Sequence, residues 1–154
     1  MSGRLWRRDW PDHASLRCAV SVTVPFQDAD PTGVAWHGNY FRYYDAARVE
    51  LLDRLGFGYR AMAEVGQLWP VVETQVRYLQ PLPYGTTAQV SAQLVEWAYR
   101  MRLYYRITLP DGALANEAVT LQVPVDARTN QIVIGVPDHW RARVETLIAA
   151  GDGA

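Results

Sequence analysis

Three side chains capable of chemistry lie close together in the segment QDADPTGVAWHG: Asp28, Asp30 and His37. The segment is rich in turn-forming residues, so it is predicted to be a loop. It runs into a helix predicted to begin near Asn39, where backbone N–H groups lack intrahelical partners and the helix dipole favours negative charge. A carboxylate held beside such a helix start indicates acyl chemistry, with the acid as nucleophile or general base.

The composition of the 154-residue chain excludes several other kinds of catalyst. All 15 basic residues are arginine, which excludes a lysine Schiff base and a P-loop lysine. The sequence contains no G-x-G-x-x-G and no G-x-S-x-G motif, so neither a dinucleotide site nor the usual α/β-hydrolase nucleophile is supported. One cysteine and three scattered histidines do not make a zinc site. We therefore expect no metal and no cofactor.

The net charge and the hydropathy of the sequence indicate whether the protein binds nucleic acid, is secreted or spans a membrane. The net charge of −1 supplies no basic field for nucleic acid. Residues 1–17 are charged and lack the apolar core of a secretory signal, and no apolar run is long enough to span a bilayer. We expect a cytoplasmic protein without a membrane span or a nucleic-acid partner.

Hydrophobic periodicity predicts one long helix between strands. Residues 17–26 alternate between apolar and polar, as in a half-buried strand that places Phe26 on its apolar face. Over residues 40–55 apolar side chains recur every three or four positions, with Phe41 and Leu52 widening the stripe. Asn39 is the predicted N-cap and Gly56 the stop. The remaining predicted elements are a short helical turn at 59–65, strands at 70–79, 86–97, 101–109, 115–125 and 132–136, and a helix at 138–149.

The order of these elements predicts the fold class. One long helix followed by consecutive antiparallel strands is an α+β plan, and a curved sheet wrapped around that helix is the hotdog arrangement. We expect a single domain at residues 17–150, preceded by an N-terminal extension at residues 1–16. A single copy would leave a sheet edge exposed, so we expect two copies to pair in a homo-oligomer, either a dimer or a tetramer.

The loop and the long helix carry a family resemblance. The stretches FQDADPTGV at 26–34 and HGNYFRYYDAA at 37–47 resemble the signature of the 4-hydroxybenzoyl-CoA thioesterase family of hotdog enzymes. Shorter similarities follow at Tyr78-x-x-Pro81-x-x-Tyr84-Gly85, at Glu96-Trp97 and at Val136-Pro137. The resemblance implies a hotdog fold and hydrolysis of an acyl thioester.

The resemblance also implies roles for the residues around the helix start. Asp30 matches the family's catalytic aspartate. His37 matches the position whose backbone amide polarises the thioester carbonyl, and an essential role for its imidazole is left open. The expected substrate-positioning residues are Gly38, Asn39 and Tyr40, of which Gly38 allows close approach to the backbone.

Three other acidic residues, Asp28, Glu64 and Glu73, are alternatives to Asp30 as the catalytic acid. Asp28 also matches the family pattern, but we interpret it as structural, holding the loop by hydrogen bonds. Some hotdog thioesterases use a glutamate on a helix; Glu73 lies on a predicted strand and Glu64 near the end of a helical turn. Asp30 therefore remains the predicted catalytic acid.

Arginines and aromatic residues are expected to contact the substrate. Guanidinium groups suit phosphates, and by resemblance Arg100, shortly after Glu96-Trp97, is expected to bind CoA, with Arg128 as a second candidate. The acyl pocket is expected where the helix start meets a set of aromatic and small residues, namely Trp36, Tyr59, Trp69 and Thr74. Aromatic walls suit an aryl or medium acyl group.

Three hypotheses for function are left open. The first is a homo-oligomeric hydrolase of an acyl-CoA with an aryl, short or medium acyl group. The second is the same hydrolysis on an acyl-carrier protein, with a docking surface in place of a nucleotide site. The third is a protein that binds acyl-CoA without turnover, against which the retained Asp30 and Gly33 argue. The sequence does not distinguish a covalent anhydride from direct attack by water.

Overall fold

A five-stranded antiparallel sheet with one 15-residue helix packed on it forms the centre of the structure, a computed structural model that describes Trp6 and residues 9–152. The helices of the described chain are α1 (Tyr40–Arg54), α2 (Tyr59–Glu64) and α3 (Asp138–Asp152). The strands are β1 (Arg17–Thr23), β2 (Gln67–Leu68), β3 (Val71–Tyr78), β4 (Thr87–Glu96), β5 (Met101–Thr108), β6 (Leu114–Gln122) and β7 (Val125–Asp126). Short 3₁₀ turns lie at Ala14–Leu16, Phe26–Asp28 and His37–Asn39.

The strand order in the large sheet is β1-β4-β5-β6-β3, and β2 pairs with β7 in a separate ribbon. The strands β4, β5 and β6 follow each other in sequence and in space, as expected for antiparallel hairpin connections. Across the inner face, Ala92 on β4 lies opposite Tyr105 on β5, which lies opposite Ala118 on β6. Small residues beside a large one leave room for the helix that covers this face.

The helix α1 packs on the sheet against β1 and β4. Its predicted apolar stripe is buried as expected: Tyr40, Tyr44, Ala47, Leu51 and the following Leu55 all have almost no exposed surface. The Tyr44 hydroxyl donates to the Asn116 side chain on β6, and its ring lies 5.0 Å from that of Tyr105. Gly56 ends the helix at a φ of +77°, a conformation that favours glycine.

The structure corrects three details of the predicted elements. Residues 132–136 do not form a strand; Ile132 makes a single bridge to Val125, and Ile134 is 90% exposed. Phe26 was expected on the inward face of the first strand, but that strand ends at Thr23 and Phe26 is 77% exposed in a 3₁₀ turn. Phe41, expected to widen the buried stripe of α1, is also exposed.

The outer face of the sheet is partly covered by the N-terminal segment. Trp6 and Trp10 pack with Tyr104 on β5 and with Val119 and Leu121 on β6. The Arg77 guanidinium lies 4.4 Å from the centre of the Trp6 ring, a cation–π arrangement. Residues 1–5, 7 and 8 of the expected extension at 1–16 lie outside the described residues, but these two indoles make contacts within the chain itself.

Two edges bound the large sheet. In the described part of the chain, β1 pairs with β4 alone and β3 pairs with β6 alone. Along β3 most side chains are exposed, including Val71, Val72 and Tyr78. None of the helices formed by residues 9–152 is long and apolar enough to cross a bilayer.

Candidate active site

The loop that carries Asp30 is a tight turn braced on both sides. The Gly33 amide donates to the Asp30 carbonyl at 3.0 Å, and the Asp30 amide donates to the Val34 carbonyl at 2.8 Å. Gly33 has a φ of +83°, which explains a glycine at this position of the turn. The next residues join the segment before β4, because the Ala35 amide donates to the Leu82 carbonyl at 2.8 Å. The loop backbone is therefore fixed independently of the Asp30 side chain.

The Asp30 carboxylate is held by Thr32. The Thr32 amide donates to Asp30 Oδ1 at 2.8 Å, and the Thr32 hydroxyl donates to the same oxygen at 2.6 Å. The hydroxyl first, then the amide, lower the pKa of Asp30 below its usual value, and the nearby His37 adds to this. Asp30 is therefore ionised at neutral pH. Both hydrogen bonds from Thr32 end on Oδ1, and the Val34 amide also lowers the pKa of this carboxyl.

Replacing Thr32 by valine tests this contact. The backbone bond remains, but the hydroxyl that contributes most to the lowered pKa of Asp30 is lost, so the carboxylate is protonated at a higher pH. We expect the acidic limb of the pH profile of kcat/KM to move to higher pH, with the neutral plateau changed much less. Steady-state rates across the acidic range measure this shift. An unmoved acidic limb would show that the profile reports some other group.

Asp28 ties this loop to α1 and carries no sign of a catalytic role. Its side chain is 3% exposed. Its carboxylate accepts from Arg42 Nη2 at 2.7 Å and from the Tyr43 hydroxyl at 2.8 Å. Burial first, and then the bond to Asp28, raise the pKa of Tyr43, so this hydroxyl stays protonated and donates. The Asp28 carbonyl also accepts from the Trp36 amide at 2.9 Å. These bonds are the ones that the structural interpretation of Asp28 expects.

The chain enters α1 through the 3₁₀ turn at His37–Asn39. The Asn39 side chain does not cap the helix as predicted, because its backbone is already helical. Its Nδ2 instead donates to the Asp28 carbonyl at 2.9 Å, and its Oδ1 accepts from Arg42 at 2.6 Å. The amides of His37 and Gly38 stand at the start of the helical run, where no preceding turn supplies an acceptor. They are the available donors for a substrate oxygen.

Asp30 and the helix start face one groove. This groove, of about 350 Å³, is lined by Asp30, His37, Tyr40, Tyr78 and Gln80 among others, and we call it the Asp30 groove. The Tyr78 hydroxyl donates to the His37 carbonyl at 2.7 Å. Asp30 and His37, the first residue of the 3₁₀ turn, thus line one cavity, and a reaction that forms an oxyanion requires a nucleophile or base and a hydrogen-bond donor close together.

Trp36 and Gly38 are in contact with each other just before the N-terminus of α1. The Trp36 ring is half exposed and sits over the Gly38 Cα, so that a side-chain carbon added at Gly38 would overlap the indole. The Trp36 ring also lies 4.8 Å from the His37 ring. Of the predicted acyl-pocket residues, Trp36 is therefore the one beside the helix start.

A second groove opens on the other side of the Asp30 loop. Its volume is about 580 Å³, and its walls include Phe26, Asp30, Gly33 and Tyr84. The exposed rings of Phe26 and Tyr84 meet edge to face at 5.8 Å. Asp30 thus lines both cavities. A thioester has two substituents at its reacting carbon besides the carbonyl oxygen, namely the acyl chain and the sulfur of its carrier.

The other predicted acyl-pocket residues do not join Trp36 within one chain. Tyr59 and Trp69 line a separate groove of about 370 Å³ together with Arg48 and Val71. Arg48 is 8% exposed; its Nη2 donates to the Tyr59 hydroxyl at 2.5 Å and pairs with Asp45 at 2.9 Å. Thr74 lies exposed on the edge strand β3. The prediction of one pocket formed by all four residues is wrong for a single chain, because Tyr59 and Trp69 lie near the C-terminal half of α1.

The two arginines expected to bind CoA lie on separate turns. Arg100, between β4 and β5, is ion-paired through its Nε to Glu96 Oε1 at 2.5 Å. The same carboxylate pairs with Arg102 at 3.2 Å. Arg128 lies in the exposed turn after β7, where its amide donates to Asp126 at 2.8 Å. Binding of phosphate by Arg100 would have to compete with Glu96.

The two glutamates that were weighed against Asp30 lie outside the Asp30 groove. Glu73 is on β3. Glu64 ends α2 and pairs with Arg60 at 3.6 Å on the surface.

Sequence reasoning missed the contacts that support Asp30 and His37. The Asp-Pro-Thr-Gly sequence signals an Asx-type turn, and that signal could have identified Thr32 as the residue bonded to Asp30. Tyr78 belongs to the quoted family pattern, but its bond to the His37 carbonyl joins positions far apart in sequence. Nothing local in the sequence indicates that contact.

The chain is similar in sequence to known thioesterases. A model of the thioesterase-like superfamily matches residues 24–144. The putative acyl-CoA thioesterase YneP of Bacillus subtilis is 33% identical over 106 residues, which cover 68% of this chain and 77% of that protein.

Solved structures share the architecture. A DHNA-CoA thioesterase from Staphylococcus aureus superimposes with a TM-score of 0.78 at 22% identity, over 89% of this chain and 94% of that one. The 4-hydroxybenzoyl-CoA thioesterase from Pseudomonas sp. strain CBS-3 gives a TM-score of 0.72 at 21% identity, over 82% and 98%. At such identities the likeness shows the fold alone, and it confirms the predicted hotdog arrangement.

Proposed function

The chain belongs to the thioesterase-like superfamily and is a thioester hydrolase, and from this premise we propose that it hydrolyses acyl-CoA thioesters through Asp30. The family resemblance stated from the sequence is thereby confirmed. The observation that carries the proposal is the Asp30 groove, which is lined both by Asp30, whose pKa is lowered, and by His37 at the start of the helical run. The name of the Bacillus subtilis relative supports CoA as the carrier of the acyl group.

The proposed chemistry uses groups that this chain holds. The Asp30 carboxylate attacks the thioester carbon, or removes a proton from a water that attacks it. In either route a C–O bond forms, and the carbonyl π electrons move to the oxygen, which accepts hydrogen bonds from the helix-start amides. The C–S bond then breaks and the CoA thiolate leaves with the electron pair. In the covalent route, water hydrolyses the resulting anhydride and restores the Asp30 carboxylate.

The His37 amide is proposed as one donor to this oxygen, and its imidazole is proposed to tune Asp30. The imidazole already contributes to the lowered pKa of that carboxyl. The absence of a side chain at Gly38 makes room for the Trp36 ring. Asn39 and Tyr40 support the same turn, Asn39 through its bond to Asp28 and Tyr40 as a buried wall of the groove.

Binding of CoA by Arg100 and Arg128 remains part of the proposal, as does a homo-oligomer. Exposure of the apolar edge strand β3 supports pairing of two copies. Pairing would also give Tyr59 and Trp69 a route to a site in another copy, because their groove includes Val71 at the start of β3.

Thiol release from a panel of aryl-, short- and medium-chain acyl-CoAs tests the function. We expect rapid release for at least one acyl class, and the preferred class identifies the acyl group. Parallel assays with the same acyl groups on a carrier protein distinguish the two carriers. Release from the carrier-bound substrates alone would overturn acyl-CoA as the substrate, and binding without release would support a non-hydrolytic role.

A further inference from the structure

Tyr78, at the C-terminal end of β3, reaches the helix start across the Asp30 groove. Its hydroxyl donates to the His37 carbonyl at 2.7 Å. Its ring meets the Tyr40 ring edge to face at 5.1 Å and the His37 ring at 6.4 Å. Burial raises the pKa of Tyr78, so the hydroxyl remains a donor at neutral pH. The Tyr78 hydroxyl therefore donates a hydrogen bond to the His37 carbonyl while its ring contacts the rings of Tyr40 and His37.

The accepting carbonyl belongs to the same peptide unit as the Gly38 amide. The described chain contains no cis peptide bond, and in a trans peptide the C=O and N–H point in opposite directions. A hydrogen bond that fixes the His37 carbonyl thus also fixes the direction of the Gly38 N–H. Because hydrogen bonds in series polarise one another, the same bond makes that N–H a stronger donor.

We propose that Tyr78 is a positioning residue that orients and polarises the Gly38 amide as a donor to the thioester oxygen. This inference rests on the proposed function and adds to it a residue on the sheet that controls the helix-start amides. The Trp36 ring lies against the Gly38 Cα, so this peptide unit contacts an indole at Gly38 and accepts the Tyr78 hydroxyl at the His37 carbonyl. A donor held by these two contacts loses little freedom when the oxyanion forms.

Replacing Tyr78 by phenylalanine tests the proposal, because the ring contacts with Tyr40 and His37 stay while the hydroxyl is lost. We expect kcat to fall about tenfold, since one donor is weakened rather than removed, with KM changed much less. The matched control is Tyr99→Phe. Tyr99 is an exposed tyrosine outside the groove, on the turn between β4 and β5, under the Arg141 guanidinium. That variant should keep the wild-type rates.

An infrared readout separates positioning from packing. In an Asp30→Asn background the bound thioester persists, and a ¹³C-labelled carbonyl reports the hydrogen bonds to its oxygen. We expect the carbonyl band of the bound substrate to move toward its position in free solution when Tyr78→Phe is added, and to stay in place when Tyr99→Phe is added. A structural role alone would leave the band unchanged.

The outcomes distinguish this inference from the function on which it rests. Wild-type kcat in Tyr78→Phe, or a lowered kcat with an unmoved carbonyl band, would overturn the role of Tyr78 and leave the hydrolase intact. Absence of thiol release by the wild-type protein would overturn both. A tenfold loss in kcat together with the band shift would establish Tyr78 as a positioning residue.

Discussion

Asp30→Asn should lower kcat/KM for the best acyl-CoA by about a hundredfold or more, the scale expected when a catalytic acid–base group or nucleophile is removed. Asparagine has nearly the same shape and can still accept from Thr32 through its side-chain oxygen, so the turn at Asp30–Gly33 should persist. What disappears is the negative charge that attacks the thioester or activates water. Steady-state thiol release measures the loss, and circular dichroism with thermal melting checks that the fold is retained.

The matched control for this variant is Asp111→Asn. Asp111 is also an exposed aspartate of a turn, and its Oδ1 accepts from the Ala113 amide at 2.9 Å, but it lies between β5 and β6, away from the groove. Its replacement should leave kcat/KM within about twofold of wild type. If Asp30→Asn also keeps its rate, the chemistry belongs to a different residue and the proposed role of Asp30 is wrong.

Asp28→Ala should have the largest effect on stability among changes near the site. It removes a buried carboxylate that accepts from Arg42 and Tyr43, and it leaves the Tyr43 hydroxyl without its partner in a buried position. We expect the free energy of unfolding to fall by about 2–4 kcal/mol, the range for orphaning groups of a buried charged network. Urea titration followed by far-UV circular dichroism measures the change.

Asp12→Ala serves as the comparison for Asp28. Asp12 pairs with Arg17 at 3.0 Å on the surface, with both side chains more than half exposed. Exposed pairs contribute little, so its loss should leave the unfolding midpoint almost unchanged. Equal midpoints for Asp28→Ala and wild type would show that the carboxylate network does not hold the loop to α1.

Local patterns in the sequence were enough to predict most of the helices and strands and their buried faces. The apolar stripe of α1 and the alternation along β4 fix which faces are buried, and those residues are buried in the structure. The Asp-Pro-Thr-Gly turn was also readable, because proline and glycine restrict the backbone at fixed offsets. The alternation of apolar and polar residues gives the wrong environment for Phe26. The strand ends before this residue, and a 3₁₀ turn places its side chain in solvent.

The details of the site depend on contacts between distant positions, which local patterns do not encode. Tyr78 reaches His37 only because β3 ends beside the start of α1. Arg48 pairs with Asp45 three residues before it on α1, but its burial and its bond to the Tyr59 hydroxyl depend on how α2 packs beside it. Within one chain, Tyr59 and Trp69 do not join Trp36 for the same reason, since they line a separate groove beside α1.

The cover of Trp6 and Trp10 on the outer face of the sheet restricts how copies of this chain can associate. These indoles, with Arg77 on one of them, occupy the surface that a second sheet would need for face-to-face stacking. Because the chain already covers this face with its own residues, a second sheet could stack on it only after displacing the two indoles. The edge of β3 carries no such competitor within the described residues, since β6 is its sole strand partner there. Of these two surfaces, the edge of β3 is therefore the one that is free to pair with a second copy.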